Sequence, residues 1–575
     1  MMASVDKVVR PVGSQAKFNT ARNSLGILRA VIVTCRYRVS TAHIRYQSLS
    51  LHDAVENALA TVILDQAMLR VGIAGEDTKE PVFVGLKTID MRRMIEWEEV
   101  VTPPELSKAD EGRKSKEEQQ QQQQQQQKEE EEEEEKTTYE DDRLLRSLEK
   151  HHEAPWDDLS GKPGWKIVVR HDPRQLSSLR PKDKEEADDA LLSFDVSFCF
   201  HHAYADGRGG YIFHGALLRA LNAAAAAHAH VAELLQGHIL QLPASSSSSP
   251  VPLPPPMEKL IPFRLSWAFI LRTVWAEILY PLLVPASLRR LLRLDPGDAD
   301  IPWTGMPIDP SNPKMHLRTL VRVDDEARLR RILARCRGHG VSLTGLLHAL
   351  VARSLVRIVG EGEGKGEGRP LVSATPIALA GYADPVVAGS SFTPGETIHC
   401  LVASLACGHD REALRPLRRG LDEHGARRVA DDAAVWAFAR DMTARLRAKA
   451  ASLPRDDIVA LSGLVGDWHE FFRGKFGKAR DASWELSNLG SLGAADAGGS
   501  EEGKEKEGGG WFIDGAVFTQ GGNPTSAALN VNVAGVAGHG ICVTGSWQEG
   551  IVDAGLVEAV AGDLRTWITE LGDAE

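Results

Sequence analysis

A short polar segment joins an alternating apolar run to an apolar helical stretch, and this arrangement constrains the fold more than any other feature of the chain. Residues 190–200 alternate in the way that a half-buried strand does. Residues 201–207 then read His-His-Ala-Tyr-Ala-Asp-Gly, and Gly207 and Gly209 permit a tight backbone turn. An alanine-rich helix is predicted over residues 211–235. The sequence therefore predicts a strand–turn–helix unit with two histidines at the strand exit.

The two histidines and the aspartate of this segment are suited to proton transfer. Histidine takes a proton near neutral pH, and a strand end is a rigid place to hold it. Alternation places His202 on the face of Phe198 and Phe200, and His201 on the opposite face. The Asp206 carboxylate either hydrogen-bonds to one of the imidazole rings or anchors the loop by pairing with an arginine. The segment predicts a positioned general base, and an unperturbed pKa of ~6.5 predicts a rate that falls below that pH.

Other chemistries fit this segment less well. A metal site would use His201, His202, Asp206 and His214, but the spacing lacks ligands four apart on a helix and no thiolate cluster is present. No Lys-Ser or Lys-Thr follows Gly210, as a phosphate loop would need. No Gly-x-Ser-x-Gly elbow of a serine hydrolase is evident. Simple packing of both histidines is the structural alternative. The sequence predicts no resident metal.

Length and charge exclude some classes of protein. The chain has 575 residues, of which 43% are hydrophobic, enough for two domains. A net charge of −12 argues against nucleic-acid binding, which needs a basic face. Six cysteines without CxxC pairing indicate reduced thiols, and no apolar signal core opens the chain. We expect an intracellular, cytoplasmic protein.

Low-complexity segments divide the chain. Nine glutamines and seven glutamates mark an insertion at about 104–138 that cannot fold into a core. Flexible loops are expected at about 360–369 and 493–510, which are rich in Gly, Glu and Lys. The predicted organisation lists three parts, namely an N-terminal subdomain at 1–242, a linker with an apolar helix at 243–300, and a C-terminal subdomain at 301–575.

The apolar stretch within residues 260–293 allows two interpretations. Charged residues and a proline interrupt it, so a membrane-spanning helix is not predicted. We expect a buried helix that connects the two domains. The alternative is a helix that lies on an internal membrane, with an apolar face and a basic flank.

Strands and helices alternate between these segments. Strands are expected at 28–39, 82–86, 165–169, 190–200, 316–323, 484–486, 515–518, 527–533 and 540–548. Helices are expected at 51–71, 211–235, 325–336, 343–356, 432–450 and 553–570. This mixture in two similar halves predicts an α+β class.

Several motifs resemble one known superfamily. Residues 198–214, with their His-His-Ala-Tyr-Ala-Asp-Gly, resemble the active-site motif of the coenzyme A-dependent acyltransferases, which include chloramphenicol acetyltransferase, plant BAHD acyltransferases and condensation domains. Residues 10–37, the Ser-Asn-Leu-Gly at 487–490 and the segment 518–553 resemble the fungal alcohol acetyltransferase family within it. Gln15 stands where that family has an acidic residue.

The resemblance implies a fold and a mechanism. It implies two chloramphenicol-acetyltransferase-like domains, each a mixed sheet flanked by helices, with a tunnel between them. Acetyl-CoA would enter from one face and a small-molecule alcohol from the other. His202 would act as general base in a direct transfer, with no permanent cofactor. Asp206 would shape the loop and pair with an arginine, for which Arg36 and Arg38 are candidates.

The resemblance also suggests supporting residues. His201 and Gly207 belong to the motif as structural residues. Ser487 and Asn488 would face the tunnel, where they could stabilise an oxyanion, although a Ser-Asn turn that bonds its own backbone is the equal alternative. Gly490 would allow close approach of the pantetheine arm.

Three functions follow from these features. The first is an alcohol O-acetyltransferase that uses acetyl-CoA. The second is a condensation-type N-acyltransferase that forms an amide, although no carrier module is evident. The third is a non-catalytic scaffold, against which the intact His202, Asp206 and Gly207 argue.

Overall fold

A computed structural model describes most of the chain outside the low-complexity segments. The described residues are 8–47, 50–100, 141–174, 191–223, 229–243, 252–284, 300–361, 368–422, 428–493 and 510–573. The predicted insertion at about 104–138 lies outside these ranges, and the expected loops at 360–369 and 493–510 lie largely outside them.

Strands and helices alternate along the described residues. The strands are β1 Val8–Pro11, β2 Val31–Ser40, β3 Val71–Ala74, β4 Val82–Gly85, β5 Thr88–Asp90, β6 Ile95–Glu99, β7 Trp165–His171, β8 Leu191–Phe200, β9 Leu235–Gln236, β10 Ile239–Gln241, β11 Met315–Val323, β12 Leu371–Ala378, β13 Val402–His409, β14 Ala482–Leu492, β15 Phe512–Gln520, β16 Ala527–Val536 and β17 Gly540–Gln548. The α-helices are α1 Ser14–Ser24, α2 Thr41–Gln47, α3 Leu51–Asp65, α4 141–153, α5 Gly207–Leu221, α6 Ala229–Leu234, α7 Met257–Leu260, α8 Trp267–Val274, α9 Tyr280–Leu283, α10 Glu326–Gly338, α11 Leu343–Glu361, α12 Pro385–Ala388, α13 Arg411–Asp422, α14 Ala433–Ser452, α15 Trp468–Arg473 and α16 Ala554–Asp573.

Two mixed sheets form the frame of the molecule. The first has the strand order β15-β2-β8-β7-β6, and the second has the order β11-β17-β16-β14-β12-β13. Each contains antiparallel and parallel pairs, since β6 runs parallel to β7 in the first sheet and β14 runs parallel to both β12 and β16 in the second. Two three-stranded sheets, β1-β4-β3 and β5-β10-β9, lie beside them. The α+β class with two lobes is confirmed.

One strand crosses from the C-terminal half of the sequence into the N-terminal sheet. β15 pairs antiparallel with β2, from Phe512 opposite Arg38 to Gln520 opposite Val31. Sheet membership therefore does not follow the expected boundary between residues 242 and 301. Strand β15 therefore connects the two lobes through the chain itself and through its backbone hydrogen bonds to β2. The subdomain boundaries stay a prediction.

Helix α5 packs closely against the first sheet, and this packing fixes the position of the histidine motif. The Phe198 and Phe213 rings stack at 3.9 Å between centroids. A Cβ atom on Gly210 would lie 2.4 Å from the Val33 Cγ2 atom, so only glycine lets the helix approach β2 this closely.

The connecting segment after the linker is not buried as the sequence analysis expected. None of the residues of α8 is buried, and a π-helical turn at Trp275–Leu279 joins it to α9. The expectation of a buried connecting helix is wrong because the helix lies on the surface, where some of its side chains are half-buried and a line of large apolar side chains is exposed. Among the described helices none is long and apolar enough alone to cross a membrane, and the pair Glu326–Gly338 with Leu343–Val359 reaches that length and composition only as two segments bent by 91°.

Candidate active site

The turn after β8 brings His202 next to Cys400, which lies just before β13 of the second sheet. β8 is a central strand of the first sheet and ends at Phe200. The half-buried His202 ring lies 2.8 Å through its Nδ1 atom from the Ala205 carbonyl oxygen. A carbonyl oxygen only accepts, so Nδ1 carries the proton and donates it. The Nε2 atom therefore keeps its lone pair, makes no hydrogen bond to the described residues, and can accept a proton from a bound molecule.

Helix α1 holds the backbone of this turn from the other side. Asn19 Nδ2 donates to the His202 carbonyl oxygen at 3.1 Å, and Arg22 Nη1 donates to Asn19 Oδ1 at 3.2 Å. The Cys400 Sγ atom lies 3.6 Å from His202 Nδ1 and accepts from Asn19 at the same distance. The histidine is thus fixed by contacts that come from both halves of the chain.

His201 is a structural residue in this turn. Its ring is fully buried, and its Nδ1 atom accepts from the Ala203 backbone N–H at 3.0 Å. Its Nε2 atom donates to Glu76 Oε1 at 2.8 Å, and the same oxygen accepts from Asn23 Nδ2. Both ring nitrogens are occupied by protein groups, so His201 has no nitrogen left for a substrate. Glu76 was not predicted from the sequence.

Asp206 begins helix α5 and connects it to the C-terminal half of the chain. Its Oδ1 atom accepts from the Gly209 N–H at 2.8 Å, which caps the helix. Its Oδ2 atom accepts from the Leu401 N–H at 3.0 Å, and its own N–H donates to the His399 carbonyl. Burial raises the pKa of Asp206, while these N–H donors oppose the rise. Backbone amides therefore take the place of the arginine that the sequence analysis expected.

The two candidate arginines pair elsewhere. Arg36 Nε lies 3.1 Å from Asp195, and Arg38 Nε lies 2.7 Å from Asp514. Both arginines belong to β2 and bind carboxylates on the neighbouring strands of the first sheet. The suggestion that either pairs with Asp206 is wrong.

The Ser-Asn-Leu-Gly segment, which the sequence analysis treats as a turn, lies within strand β14 of the second sheet and contacts the first turn of α5. Asn488 Nδ2 donates to Thr344 Oγ1 at 3.0 Å, and Asn488 Oδ1 accepts from the Gly490 N–H at 2.8 Å. Gly490 has a φ of 74°, which favours glycine, and its carbonyl accepts from Tyr211 of α5. Within the described part of the chain the Ser487 hydroxyl makes no hydrogen bond, so it can donate to a ligand.

The motif glycine explains how closely the lobes meet at this turn. A Cβ atom on Gly207 would lie 2.3 Å from Leu489 Cδ2. Arg208 Nη1 donates to the Leu489 carbonyl at 2.8 Å, and Tyr211 Oη accepts from the Gly535 N–H at 2.9 Å. The first turn of α5 is thereby docked on the second sheet.

The comparisons with known proteins point to acyltransferases. The chain is 26% identical over 566 residues to a "Probable alcohol acetyltransferase FCK4" of Fusarium pseudograminearum, covering 98% of this chain and 96% of that protein. Its structure superposes on the TRI3 trichothecene 15-O-acetyltransferase of Fusarium sporotrichioides with a TM-score of 0.59 and 11% identity, covering 98% and 94% of the two chains. The chain is an acyltransferase that is similar in sequence to a fungal alcohol acetyltransferase. A condensation domain of the Monacolin K polyketide synthase MokA aligns at a TM-score of 0.49 with 11% identity, covering 99% and 97%. No protein-family model matches the chain.

The metal alternative has no support at the acyltransferase motif. His214 is buried inside α5, where Nε2 donates to the Val33 carbonyl and Nδ1 accepts from the Tyr37 hydroxyl, each at 2.9 Å. His201 and Asp206 are likewise committed to the protein contacts above. Within the described ranges, no three of the four residues of that alternative bring their ligand atoms within 4.8 Å of one another.

A cleft of about 390 Å³ opens beside the motif. Asp206 and Gly209 form one wall, His399 and Leu401 form another, and Ser491 lies at the end of β14. A second, much smaller cavity lies on the other side of the motif. His399 lines both cavities. A continuous tunnel that reaches His202 from both faces stays a prediction, because His202 lines neither of these two cavities.

His399 is a cleft residue that sequence reasoning missed. Its Nε2 atom donates to the Pro255 carbonyl at 2.8 Å, so Nδ1 carries the lone pair. That Nδ1 atom is buried and has no hydrogen-bond partner among the described residues. Burial lowers the pKa of His399 to about 4. At neutral pH the cleft therefore offers one unused, buried acceptor to a ligand N–H or O–H group.

The surroundings of His202 also favour its neutral form. Exclusion of water, followed by the positive charge of Arg22, lowers the pKa of His202 to about 4. The lone pair on Nε2 is then present throughout the neutral range, without competition from a proton of the solvent.

We expect the acyl-transfer rate to stay level from neutral pH down to about pH 5 and to fall with a midpoint near pH 4, because the base form of His202 is lost only there. The expectation of a fall near ~6.5, based on an unperturbed histidine, is corrected by the lowered pKa. Initial rates of thiol release across this range check the result. A midpoint at pH 6–7 would contradict it.

Acid unfolding must be separated from this titration. Several buried histidines have pKa values lowered to about 3 or 4, namely His152, His202, His214, His348, His399 and His409. The unfolded chain binds protons at these sites below ~6.5, so stability falls as the pH falls from there to the folded pKa values. Circular dichroism at each pH shows whether the folded state persists, and enzyme returned to neutral pH should recover its rate.

Proposed function

We propose that this acyltransferase moves the acetyl group of acetyl-CoA to the hydroxyl of a small-molecule alcohol, with His202 as general base. The observation that carries the proposal is the His202 ring, whose Nδ1–H is held by the Ala205 carbonyl at 2.8 Å while Nε2 makes no hydrogen bond to any described residue. The relative named as a probable alcohol acetyltransferase supports the choice of acceptor and donor.

The proposed reaction is a direct transfer. Nε2 of His202 takes the hydroxyl proton as the alcohol oxygen attacks the thioester carbonyl carbon. The tetrahedral intermediate carries an oxyanion, to which the Ser487 hydroxyl donates. When the C–S bond breaks, the leaving thiolate takes the proton from Nε2. The products are an ester and free coenzyme A, and the histidine returns to its starting form.

Cys400 does not serve as a covalent nucleophile in this proposal. Its Sγ atom faces Nδ1 of His202 at 3.6 Å, and that nitrogen already carries a proton because it donates to Ala205. Burial raises the pKa of the Cys400 thiol, so no thiolate is available at neutral pH. The thiol is a packing neighbour of the base.

The cleft beside the motif is the proposed route of one substrate, and His399 is its proposed hydrogen-bond acceptor. We expect His399→Gln to raise the KM of one substrate by about five- to tenfold, the value of one lost hydrogen bond, with kcat nearly unchanged. Glutamine places its amide nitrogen near the Nε2 position, so the bond to Pro255 is kept while the Nδ1 acceptor is removed.

Separate titration of acetyl-CoA and alcohol tells which substrate uses His399. If the variant has the same KM as the wild type for acetyl-CoA and also for the alcohol, this contact is ruled out. Thermal unfolding of the variant serves as the control, since a kept Pro255 bond predicts a melting temperature close to that of the wild type.

A donor and acceptor screen tests the proposed activity. Purified enzyme is incubated with acetyl-, propionyl- and hexanoyl-CoA against a panel of primary alcohols, secondary alcohols and matched amines, and products are read by mass spectrometry. The proposal predicts acetyl esters. Amide products alone would assign the condensation-type reaction, and the absence of thiol release with every pair would reject the proposed donor.

A further inference from the structure

The helical segment from Trp267 to Leu283 carries a line of exposed large apolar side chains. Trp267 is 78% exposed, Leu271 65%, Trp275 51%, Leu279 37% and Leu283 59%. We call these five residues the apolar stripe. An exposed line of two tryptophans and three leucines is unusual on the surface of a globular protein, where large apolar patches mark interaction sites.

The spacing and the helix geometry keep the stripe on one side. Its members follow each other at intervals of four residues, which on an α-helix drift by about 40° per step. The π-helical turn at Trp275–Leu279 has more residues per turn, so it turns the line back in the opposite direction. The helix therefore presents one continuous apolar edge about 25 Å long.

Basic groups lie at the N-terminal end of the stripe, which we call its root, and within its first turns. Arg264 and Arg272 are both exposed. A cavity of about 390 Å³ beside the root is lined by Arg264, Arg455 and Ser452. The Asp456 carboxylate accepts hydrogen bonds there from the Ser266 N–H and hydroxyl, at 2.6 and 3.0 Å. The same carboxylate lies 3.5 Å from the Arg455 Nε atom. The Arg264 guanidinium has no carboxylate within ion-pair distance among the described residues.

We propose that the apolar stripe docks this acyltransferase on a lipid membrane that contains anionic headgroups. Tryptophan is the side chain most enriched at membrane interfaces, and an apolar edge with arginines at its root matches a helix that lies in the interface plane. The arginines meet headgroup phosphates, while the five apolar side chains enter the acyl boundary.

A second copy of the chain fits the stripe less well. The five side chains expose on the order of 600 Å² of apolar surface, given that a tryptophan offers about 250 Å². A stable protein interface buries ~800 Å² on each partner, with a polar rim around it. One narrow helix edge is short of that area, whereas a membrane needs no complementary shape.

Vesicle flotation tests this docking. Wild-type enzyme is mixed with phosphatidylcholine vesicles or with vesicles that contain 30% phosphatidylserine, and floated fractions are quantified. We expect at least tenfold more protein on the anionic vesicles for the wild type than for the double variant Trp267→Glu with Trp275→Glu. The matched control Met306→Glu changes a side chain that is 58% exposed, on a residue whose backbone N–H donates to the Ile551 carbonyl, and it should float like the wild type.

The possible results distinguish a membrane from a second copy of the chain as the partner of the stripe. Loss of flotation in the stripe variant alone supports membrane docking. Equal flotation of wild type and stripe variant, or none with either vesicle, overturns it. Light scattering without vesicles that shows a wild-type dimer and a monomeric stripe variant assigns the stripe to self-association instead. Unchanged melting temperatures show that the exposed substitutions leave the fold intact.

Discussion

Replacement of His202 by asparagine is expected to lower kcat by about 10²- to 10⁴-fold, the usual value of a general base. Asparagine carries its amide nitrogen near the Nδ1 position, so the hydrogen bond to the Ala205 carbonyl, 2.8 Å in the wild type, is kept. The variant lacks an acceptor at the Nε2 position. KM values and the melting temperature should stay close to those of the wild type, as measured by thiol release and circular dichroism.

A matched substitution distinguishes the loss of the proposed base from the effect of replacing any histidine by asparagine. His238 is an exposed histidine in the β9–β10 turn, where it binds Glu56. It has a φ of 67°, a conformation that asparagine also adopts. His238→Asn should retain the full rate. A His202→Asn enzyme that keeps more than a tenth of the wild-type kcat would show that another group takes the proton.

Replacement of Asp206 by alanine is expected to destabilise the protein by about 2–3 kcal/mol and to lower kcat on the order of 10²-fold. The substitution removes the cap on Gly209 and leaves the buried Leu401 N–H without an acceptor. The rate falls because the Ala205 carbonyl, next in sequence to Asp206, orients the His202 ring. Denaturant unfolding and steady-state kinetics measure the two effects.

A serine at the same position divides the two functions of Asp206. Asp206→Ser keeps a side-chain oxygen that can cap Gly209 but is too short to reach Leu401 as well. It should recover about 1 kcal/mol of the loss while kcat stays low. Wild-type kinetics in Asp206→Ser would show that the contact with Leu401 does not position the base.

Elements with clear apolar periodicity were predicted closely from the sequence. The strands expected at 316–323 and 540–548 and the helix at 553–570 match β11, β17 and α16 within a few residues. The helix expected at 211–235 begins instead at Gly207, because Asp206 caps it there, and ends at Leu221. Caps and breaks of this kind depend on hydrogen bonds that periodicity does not report.

Helix α1 was missed for a reason that concerns the site. Its buried residues include Asn19, Arg22 and Asn23, so its inner face is polar and shows no apolar period. Those polar groups bind the backbone of the histidine turn and Glu76. The helix is thus hidden from pattern analysis by the residues that support the site.

The candidate base could be predicted because its context is local, whereas its neighbours could not. His202, its turn and Asp206 lie within one short segment. The fold brings to that segment three residues that are more than a hundred positions away in the sequence, namely Glu76, His399 and Cys400. The same limit explains the wrong choice of Arg36 and Arg38 as partners of Asp206, since backbone amides carry no residue-type signal.

Direct transfer by His202 is tested most directly by the mass of the enzyme after incubation with acetyl-CoA alone. The account predicts an unmodified chain and no thiol release until an alcohol is added, because Nε2 passes the proton of the acceptor and no protein atom holds the acetyl group. An acetyl adduct on Cys400 or on His202 that disappears when alcohol is added would contradict it.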